Sequence, residues 1–201
     1  MATLTIPNIP ATLAAWLPAT FTAPGLNEEQ FLALCEKFPD CLLEYTVDGT
    51  VIIMPPTDPD SSKRVTEVVG QLWTWARLHG GGVIGPDGGF FFRKGSRRSP
   101  DATWFDEKRW QAAKTPGLYF PVFAPEFVIE VRSPYDRINT LREKMEEYVD
   151  SGVSLAWLVD PKEHTVTIYR PGRSPEVLMN PRTVAGEGPV AGFVLELDRV
   201  L

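Results

Sequence analysis

The 201-residue sequence contains few of the residues that build metal clusters or disulfide scaffolds. Cys35 and Cys41 are the only cysteines, and they do not form a Cys-x-x-Cys pair. His79 and His164 are the only histidines and stand far apart along the chain. We therefore expect neither a zinc cluster nor a domain held together by disulfides.

Long apolar runs are also missing from the sequence. The longest, such as residues 155–159, stop far short of the roughly 20 residues that a membrane helix needs. The amino terminus has no basic segment followed by an apolar run and a cleavage site of small residues. The sequence thus predicts no membrane span and no secretory signal, and we expect a cytoplasmic protein.

Basic residues are fewer than acidic ones, 20 against 26, which gives a formal net charge of −6. This balance disfavours a nucleic-acid ligand, because phosphate contacts normally come from a basic surface. A local basic groove can nevertheless coexist with an acidic remainder. Two groups of basic residues occur in the sequence: Arg93, Lys94, Arg97 and Arg98, and then Arg132, Arg137, Arg142 and Lys144.

The distribution of apolar residues predicts one domain of α/β type. Residues 1–25 are rich in Ala, Thr and Pro without a period and are interpreted as an extended arm, which leaves residues 26–201 as a single domain. Helical spacing and capping signals predict helices at 27–37, 61–79 and 106–110, and one that starts at Ser133 or a few residues later and ends at Gly152. Strands are predicted at 42–46 and 51–54 joined by an Asp48-Gly49 turn, at 83–84 paired with 90–93, and at 102–105, 127–132, 155–159, 164–169 and 176–179.

Two acidic residues lie at predicted strand ends. Asp101 follows Ser99-Pro100 and opens one strand, and Glu130 lies near the end of an apolar strand about thirty residues later. Paired carboxylates on adjacent strands suit Mg²⁺, which takes oxygen ligands and bridges to substrate phosphate. A nearby ammonium would orient the attacking water or stabilise the negative charge that develops in the transition state.

Each of these residues also has a structural interpretation. Asp101 could be a surface turn acid, and Glu130 could be the ion-pair partner of Arg132 or Arg137. Lys144 could be a solvated lysine on a helix flank, since Glu143, Glu146 and Glu147 surround it in sequence. The tryptophans are better explained by core packing than by base stacking.

Several segments, in order and at matching spacing, resemble the Uma family of restriction-endonuclease-like proteins within the PD-(D/E)XK nuclease superfamily. The resemblance extends over nearly the whole chain. The segments that carry it are Leu43-Glu44-Tyr45, Asp48-Gly49, Ile53-Met54-Pro55-Pro56, Gly89-Phe90, Arg98-Ser99-Pro100-Asp101-Ala102, residues 127–134, Asp136, residues 144–148, Gly152-Val153 and residues 157–161.

The resemblance implies a restriction-endonuclease-like core, a mixed sheet flanked by helices, that cleaves DNA with Mg²⁺ or Mn²⁺. It implies that Asp101 and Glu130 bind the metal, with the carbonyl of Val131 as a further ligand. Arg132 occupies the position of the lysine in the Glu-x-Lys motif, and arginine is a poor base. Lys144, on the following helix, is the position that matches the displaced lysine.

Further roles follow from the same resemblance. Glu44 matches the acid on the family's first strand and would assist the metal through water or orient Lys144. Arg98, Arg132 and Arg137 are predicted DNA contacts, and a homodimer is expected from the resemblance and from the proline-rich arm. The alternative is a catalytically silent relative that binds nucleic acid or a protein partner. A small-molecule hydrolase ranks last, because the sequence has no nucleophile elbow, triad or phosphate loop.

Overall fold

The computed structural model describes residues 18–114, 116–117 and 120–201. Most of the predicted arm, residues 1–25, therefore lies outside the described residues. The part of it that is described contributes a strand, β1 (Ala19–Thr22), in which Phe21 pairs antiparallel with Val51.

The first part of the chain forms a five-stranded sheet covered by a helix. The helix α1 (Glu28–Lys37) begins at the predicted capping box, in which the side chain of Asn27 accepts from the amide of Gln30 at 2.8 Å and the reciprocal bond is 3.1 Å. The predicted Asp-Gly hairpin is confirmed as β2 (Leu42–Tyr45) and β3 (Thr50–Met54). The strand order is β1-β3-β2-β6-β5, where β5 is Phe90–Phe91 and β6 is Arg97–Arg98.

The second part of the chain forms a six-stranded mixed sheet that carries the centre of the fold. Its order is β11-β10-β9-β8-β7-β4, and only the β8–β9 pair is parallel. All five residues of β8 are buried, as the sequence predicts for a strand covered on both faces. The strands are β4 (Gly82–Ile84), β7 (Ala102–Phe105), β8 (Phe127–Val131), β9 (Leu155–Asp160), β10 (Thr165–Tyr169) and β11 (Glu176–Met179).

Helices cover both faces of this six-stranded sheet. On one face, α2 (Pro59–His79) buries Val65, Val68 and Leu72 against Ile129 and Val131. On the other, α4 (Ile138–Asp150), the crossover between β8 and β9, packs Met145 against Val128. The short helix α3 (Glu107–Ala113) is capped by Asp106 as predicted. The hairpin β12 (Thr183–Ala185) and β13 (Val194–Glu196), with a 3-10 turn at Gly188–Val190, completes the α2 side.

Two features of the local structure differ from the predictions. Residues 83–84 and 90–93 do not pair with each other, because the chain passes from one sheet to the other between them: β4 pairs with β7, and β5 with β6. Arg97 and Arg98, to which the sequence analysis assigned no strand, form β6. The capping signal at Ser133 closes a turn of its own, in which the Asp136 carboxylate accepts from the Ser133 amide at 2.7 Å, and α4 begins at Ile138, within the predicted few residues.

The fold as a whole agrees with the predicted class, a mixed α/β sheet flanked by helices. Within the described residues, no helix combines the length and the apolar character needed to cross a membrane.

Candidate active site

Asp101 and Glu130 lie side by side at the edge shared by β7 and β8. Ala102 faces Ile129 in the antiparallel register, so the next residues outward are Asp101 and Glu130. Side chains alternate along a strand, so Glu130 projects on the same face as Val128, towards α4, and Asp101 projects with Phe105 towards that face. The Asp101 Oδ2 atom also accepts a 2.7 Å hydrogen bond from the Val131 amide. The fold therefore brings the two acids together on one face of the sheet.

Lys144 joins these acids from α4. Its Nζ lies 2.9 Å from Glu130 Oε1 and 2.9 Å from Glu44 Oε1. The lysine side chain is only 10% exposed, so it is not a solvated charge on the helix surface. Glu44 reaches the site from β2, which belongs to the other sheet. The site therefore lies at the seam between the two sheets.

Burial, together with the neighbouring charge of Glu130, raises the pKa of Asp101 to about 8 against the opposing effect of the Val131 hydrogen bond. Burial likewise raises the pKa of Glu130, although the Lys144 ammonium opposes this. For Glu44 burial acts in the same direction, but the charges of Lys144 and Arg98 outweigh it and hold its pKa below the usual value. Asp101 and Glu130 are therefore the carboxyl groups of the site whose ionised forms the neighbouring cations compensate least.

The Lys144 ammonium is held in its charged form. Burial alone would lower its pKa, but the charges of Glu130 and Glu44 outweigh burial and raise the pKa above that of an ordinary lysine. Lys144 can therefore donate hydrogen bonds and neutralise charge at neutral pH, and it is unsuited to accept a proton. Two of its three N–H groups are directed at carboxylates, which leaves one donor for a substrate or a water.

Tyr148, one helical turn beyond Lys144, is a site residue that the sequence analysis assigned to the apolar stripe of α4. Its hydroxyl donates a 2.7 Å hydrogen bond to Glu130 Oε1, and the residue is fully buried. Both bonds to Glu130 thus use Oε1. Within the described part of the chain, Glu130 Oε2 and Asp101 Oδ1 accept no hydrogen bond.

Arg98 was predicted to contact DNA, but its side chain is buried and paired with carboxylates. It is 5% exposed, and each of its guanidinium nitrogens donates to a carboxylate: Nη1 to Glu44, and Nε and Nη2 to Glu147. No sequence pattern indicated these ion pairs, because Arg98 lies in a strand of only two residues. The arginine directly before Ser-Pro-Asp was the only available signal.

The other predicted DNA contacts differ in their surroundings. Arg132, which was considered as an ion-pair partner of Glu130, pairs instead with the buried Asp160 of β9. The distance between Arg132 Nη1 and Asp160 Oδ2 is 2.8 Å. Arg137 is exposed at the start of α4 and is free for a phosphate. The first basic group does not form a groove, since Arg97 lies over the ring of Phe91 at 4.3 Å and Lys94 pairs with Asp150.

Six charged residues make up what we call the ion network: Glu44, Arg98, Asp101, Glu130, Lys144 and Glu147. It contains two cations and four carboxylates, so two negative charges are uncompensated when every carboxylate is ionised. In a buried setting such an excess is costly unless protons or a cation neutralise it. One divalent cation at Asp101 and Glu130 would balance the network.

A mixed sheet covered by helices, with acids at the ends of two adjacent central strands and a lysine beside them, defines the class of restriction-endonuclease-like folds. The chain belongs to the Uma2 family, which is described as "Putative restriction endonuclease" and whose model matches residues 28–198.

Among solved structures, the chain is similar to a crystal structure from Anabaena variabilis described as a "putative nuclease belonging to DUF820". The TM-score is 0.70 at 22% sequence identity, and the match covers 86% of this chain and 95% of the other. At this identity the likeness establishes the fold. None of the curated proteins matches the chain.

Proposed function

We propose that the protein is a magnesium-dependent endonuclease that hydrolyses DNA phosphodiester bonds. The observation that carries this proposal is the pair Asp101 and Glu130, two neighbouring carboxyl groups on one face, each with an oxygen that accepts no hydrogen bond among the described residues. With every carboxylate ionised, the ion network has two negative charges in excess, and burial together with this excess raises the pKa of both groups. Such a pair attracts a divalent cation. Family membership supports a nuclease reaction.

The donor set fits magnesium rather than a metal that needs a full protein cage. No group of three or more His, Cys, Asp or Glu side chains arranged for a metal occurs among the described residues. Mg²⁺ usually keeps several waters and binds through one or two carboxylates plus substrate phosphate. Asp101, Glu130 and the Val131 carbonyl would hold the ion, and Mn²⁺ would substitute for it. When bound, it supplies an activated water and neutralises charge on the phosphate.

In this proposal, Lys144 contributes a positive charge and donates hydrogen bonds. Its raised pKa keeps the ammonium protonated, and its remaining N–H can stabilise the negative charge that develops on the phosphate oxygens. Arg132 does not fit that role, because its guanidinium is engaged by Asp160. Arg137, which is exposed, is the arginine that we propose as a contact to the DNA backbone.

The decisive experiment measures metal binding and cleavage together. Asp101→Ala and Glu130→Ala are expected to abolish Mg²⁺- or Mn²⁺-dependent nicking of DNA and to remove metal binding by calorimetry, with a folded protein by circular dichroism. Glu29→Ala, on the exposed face of α1, is the matched control and should behave as wild type. If wild type neither binds metal nor nicks any form of DNA, the silent-relative hypothesis replaces this proposal.

A second comparison tests which basic residue serves the reaction. Lys144→Ala should cost more activity than Arg132→Lys, because Lys144 contacts Glu130 and Arg132 pairs with Asp160 instead. The reverse order would return the basic role to Arg132. The expected homodimer is measured separately by light scattering.

A further inference from the structure

A closed ring of side chains connects α4 with the five-stranded sheet. Glu147, on α4, accepts from Arg98 Nε at 3.0 Å and from Nη2 at 2.5 Å. Arg98 Nη1 donates to Glu44 Oε2 at 3.0 Å, and Glu44 Oε1 lies 2.9 Å from Lys144 Nζ. Lys144 and Glu147 stand three residues apart on α4, so the helix backbone closes the ring.

The ring fixes the orientation of Glu44 completely. Its Oε2 is held by Arg98, and its Oε1 accepts from both Lys144 and the Ser99 amide, the latter at 2.9 Å. The side chains are shielded from solvent, with exposed fractions of 3% for Glu44, 6% for Arg98 and 15% for Glu147. Two-pronged pairing of a guanidinium with a carboxylate adds directional constraint to the charge attraction. None of the three can turn without breaking a charged contact.

We propose that Arg98 and Glu147 are positioning residues that hold Glu44, and through it the ammonium of Lys144, in place at the site. A lysine side chain has four flexible methylene groups, so one contact to Glu130 would leave its amine free to swing. The second contact, to a Glu44 that cannot rotate, removes that freedom. The catalytic consequence rests on the proposed nuclease function, whereas the positioning itself does not.

The ring also holds the segment that leads to Asp101. Residues 98–101 carry the chain from β6 in one sheet to β7 in the other. Arg98 and the Ser99 amide both bind Glu44, and Asp101 binds the Val131 amide at the far end. Loosening the ring would therefore affect Lys144 first, because Asp101 keeps its own anchor at the Val131 amide.

The primary test is Glu147→Gln, which removes the charge that holds Arg98 and leaves every atom of Glu44 and Lys144 in place. Glu143→Gln is the matched control, because Glu143 is exposed one turn earlier on α4 and loses the same charge. We expect kcat to fall about tenfold for Glu147→Gln, the size typical of residues that orient metal-site groups, with little change in KM. The control should keep wild-type kcat.

A double-variant comparison separates positioning from a purely structural role. In a Lys144→Ala background, Glu147→Gln should cost little further activity, because the group that it positions is gone. Arg98→Lys, which keeps the charge but cannot contact both acids at once, should repeat the loss. Equal losses from Glu147→Gln with and without Lys144 would overturn the proposal.

A readout without catalysis completes the test. The Lys144 amine can be labelled with formaldehyde and cyanoborohydride and quantified by peptide mass spectrometry. Glu147→Gln should raise the labelling rate of Lys144 several-fold over wild type and over Glu143→Gln, at unchanged labelling of the other lysines. Unchanged labelling would refute the positioning. Faster labelling in a protein that cleaves no DNA would support the positioning and reject the proposed function instead.

Discussion

Replacing Asp101 by asparagine should stabilise the metal-free protein at high pH. The pKa of Asp101 lies near 3.8 in an unfolded chain and at about 8 in the fold. Between these values the folded state keeps a proton that the unfolded state has released. The stability from this group is therefore complete below pH 3.8, declines as the pH rises, and is lost above about 8. Asparagine has no such dependence and can still accept the Val131 amide bond.

The magnitude follows from the two pKa values. Each unit of pKa difference is worth about 1.4 kcal/mol, so a fully buried group would lose about 5 to 6 kcal/mol across this range. Asp101 is only partly buried, and solvent screening reduces the expected difference to about 2 to 3 kcal/mol at pH 9. For a domain of this size that difference corresponds to roughly 4 to 12 °C in Tm.

Urea and thermal unfolding in EDTA at pH 5, 7 and 9 would measure the difference between Asp101→Asn and wild type. The variant's advantage should grow with pH. Mg²⁺ at a thousandfold excess over Kd should then reverse the order, since wild type gains about 4.1 kcal/mol and the variant gains little. Parallel pH profiles for the two proteins would refute the assignment of uncompensated charge to Asp101.

Other consequences of the structure can be measured in the same way. Tyr148→Phe removes the hydroxyl bound to Glu130 but keeps the buried ring. Calorimetry should show the Mg²⁺ affinity reduced about tenfold, and urea unfolding should show a loss of about 1 kcal/mol in the free energy of unfolding. An unchanged affinity would mean that Tyr148 does not belong to the site. Arg132→Ala leaves Asp160 buried without its partner and should cost about 3 to 5 kcal/mol in urea unfolding, whereas a surface pair would cost under about 1 kcal/mol. Met145→Ala, which empties a fully buried position between α4 and β8, should cost about 2 to 5 kcal/mol with the helical circular dichroism retained; a smaller loss would mean that the helix relaxes into the space.

The elements with strong local signals could be predicted from the sequence. The capping box at Asn27, the Asp-Gly hairpin and the spacing of Val65, Val68 and Leu72 all reflect interactions within a few residues, and the structure confirms them. The convergence of Asp101 and Glu130 followed from strand ends meeting at one sheet edge. These features needed no knowledge of distant partners.

The remaining features depend on contacts between distant segments. Arg98 meets Glu44 and Glu147 from positions 54 and 49 residues away, and a two-residue strand has no periodicity to indicate its pairing. The sequence therefore suggested a DNA contact where the fold makes a buried ion pair. Tyr148 was closer to prediction, since it lies four residues from Lys144 and so shares its helix face. Tyr148 differs from an ordinary core residue only in the contact between its hydroxyl and Glu130, and this contact cannot be read from the sequence.

Because the site lies at the seam between the two sheets, it is complete only when both sheets have formed and packed together. Glu44 is a hundred positions before Lys144 in the chain, and neither sheet by itself contains both. A nascent or truncated product that builds only one layer would hold unmatched charges and would lack the amine, the acids or both. Under the proposed function, nuclease activity would then appear only in a molecule in which both sheets have formed.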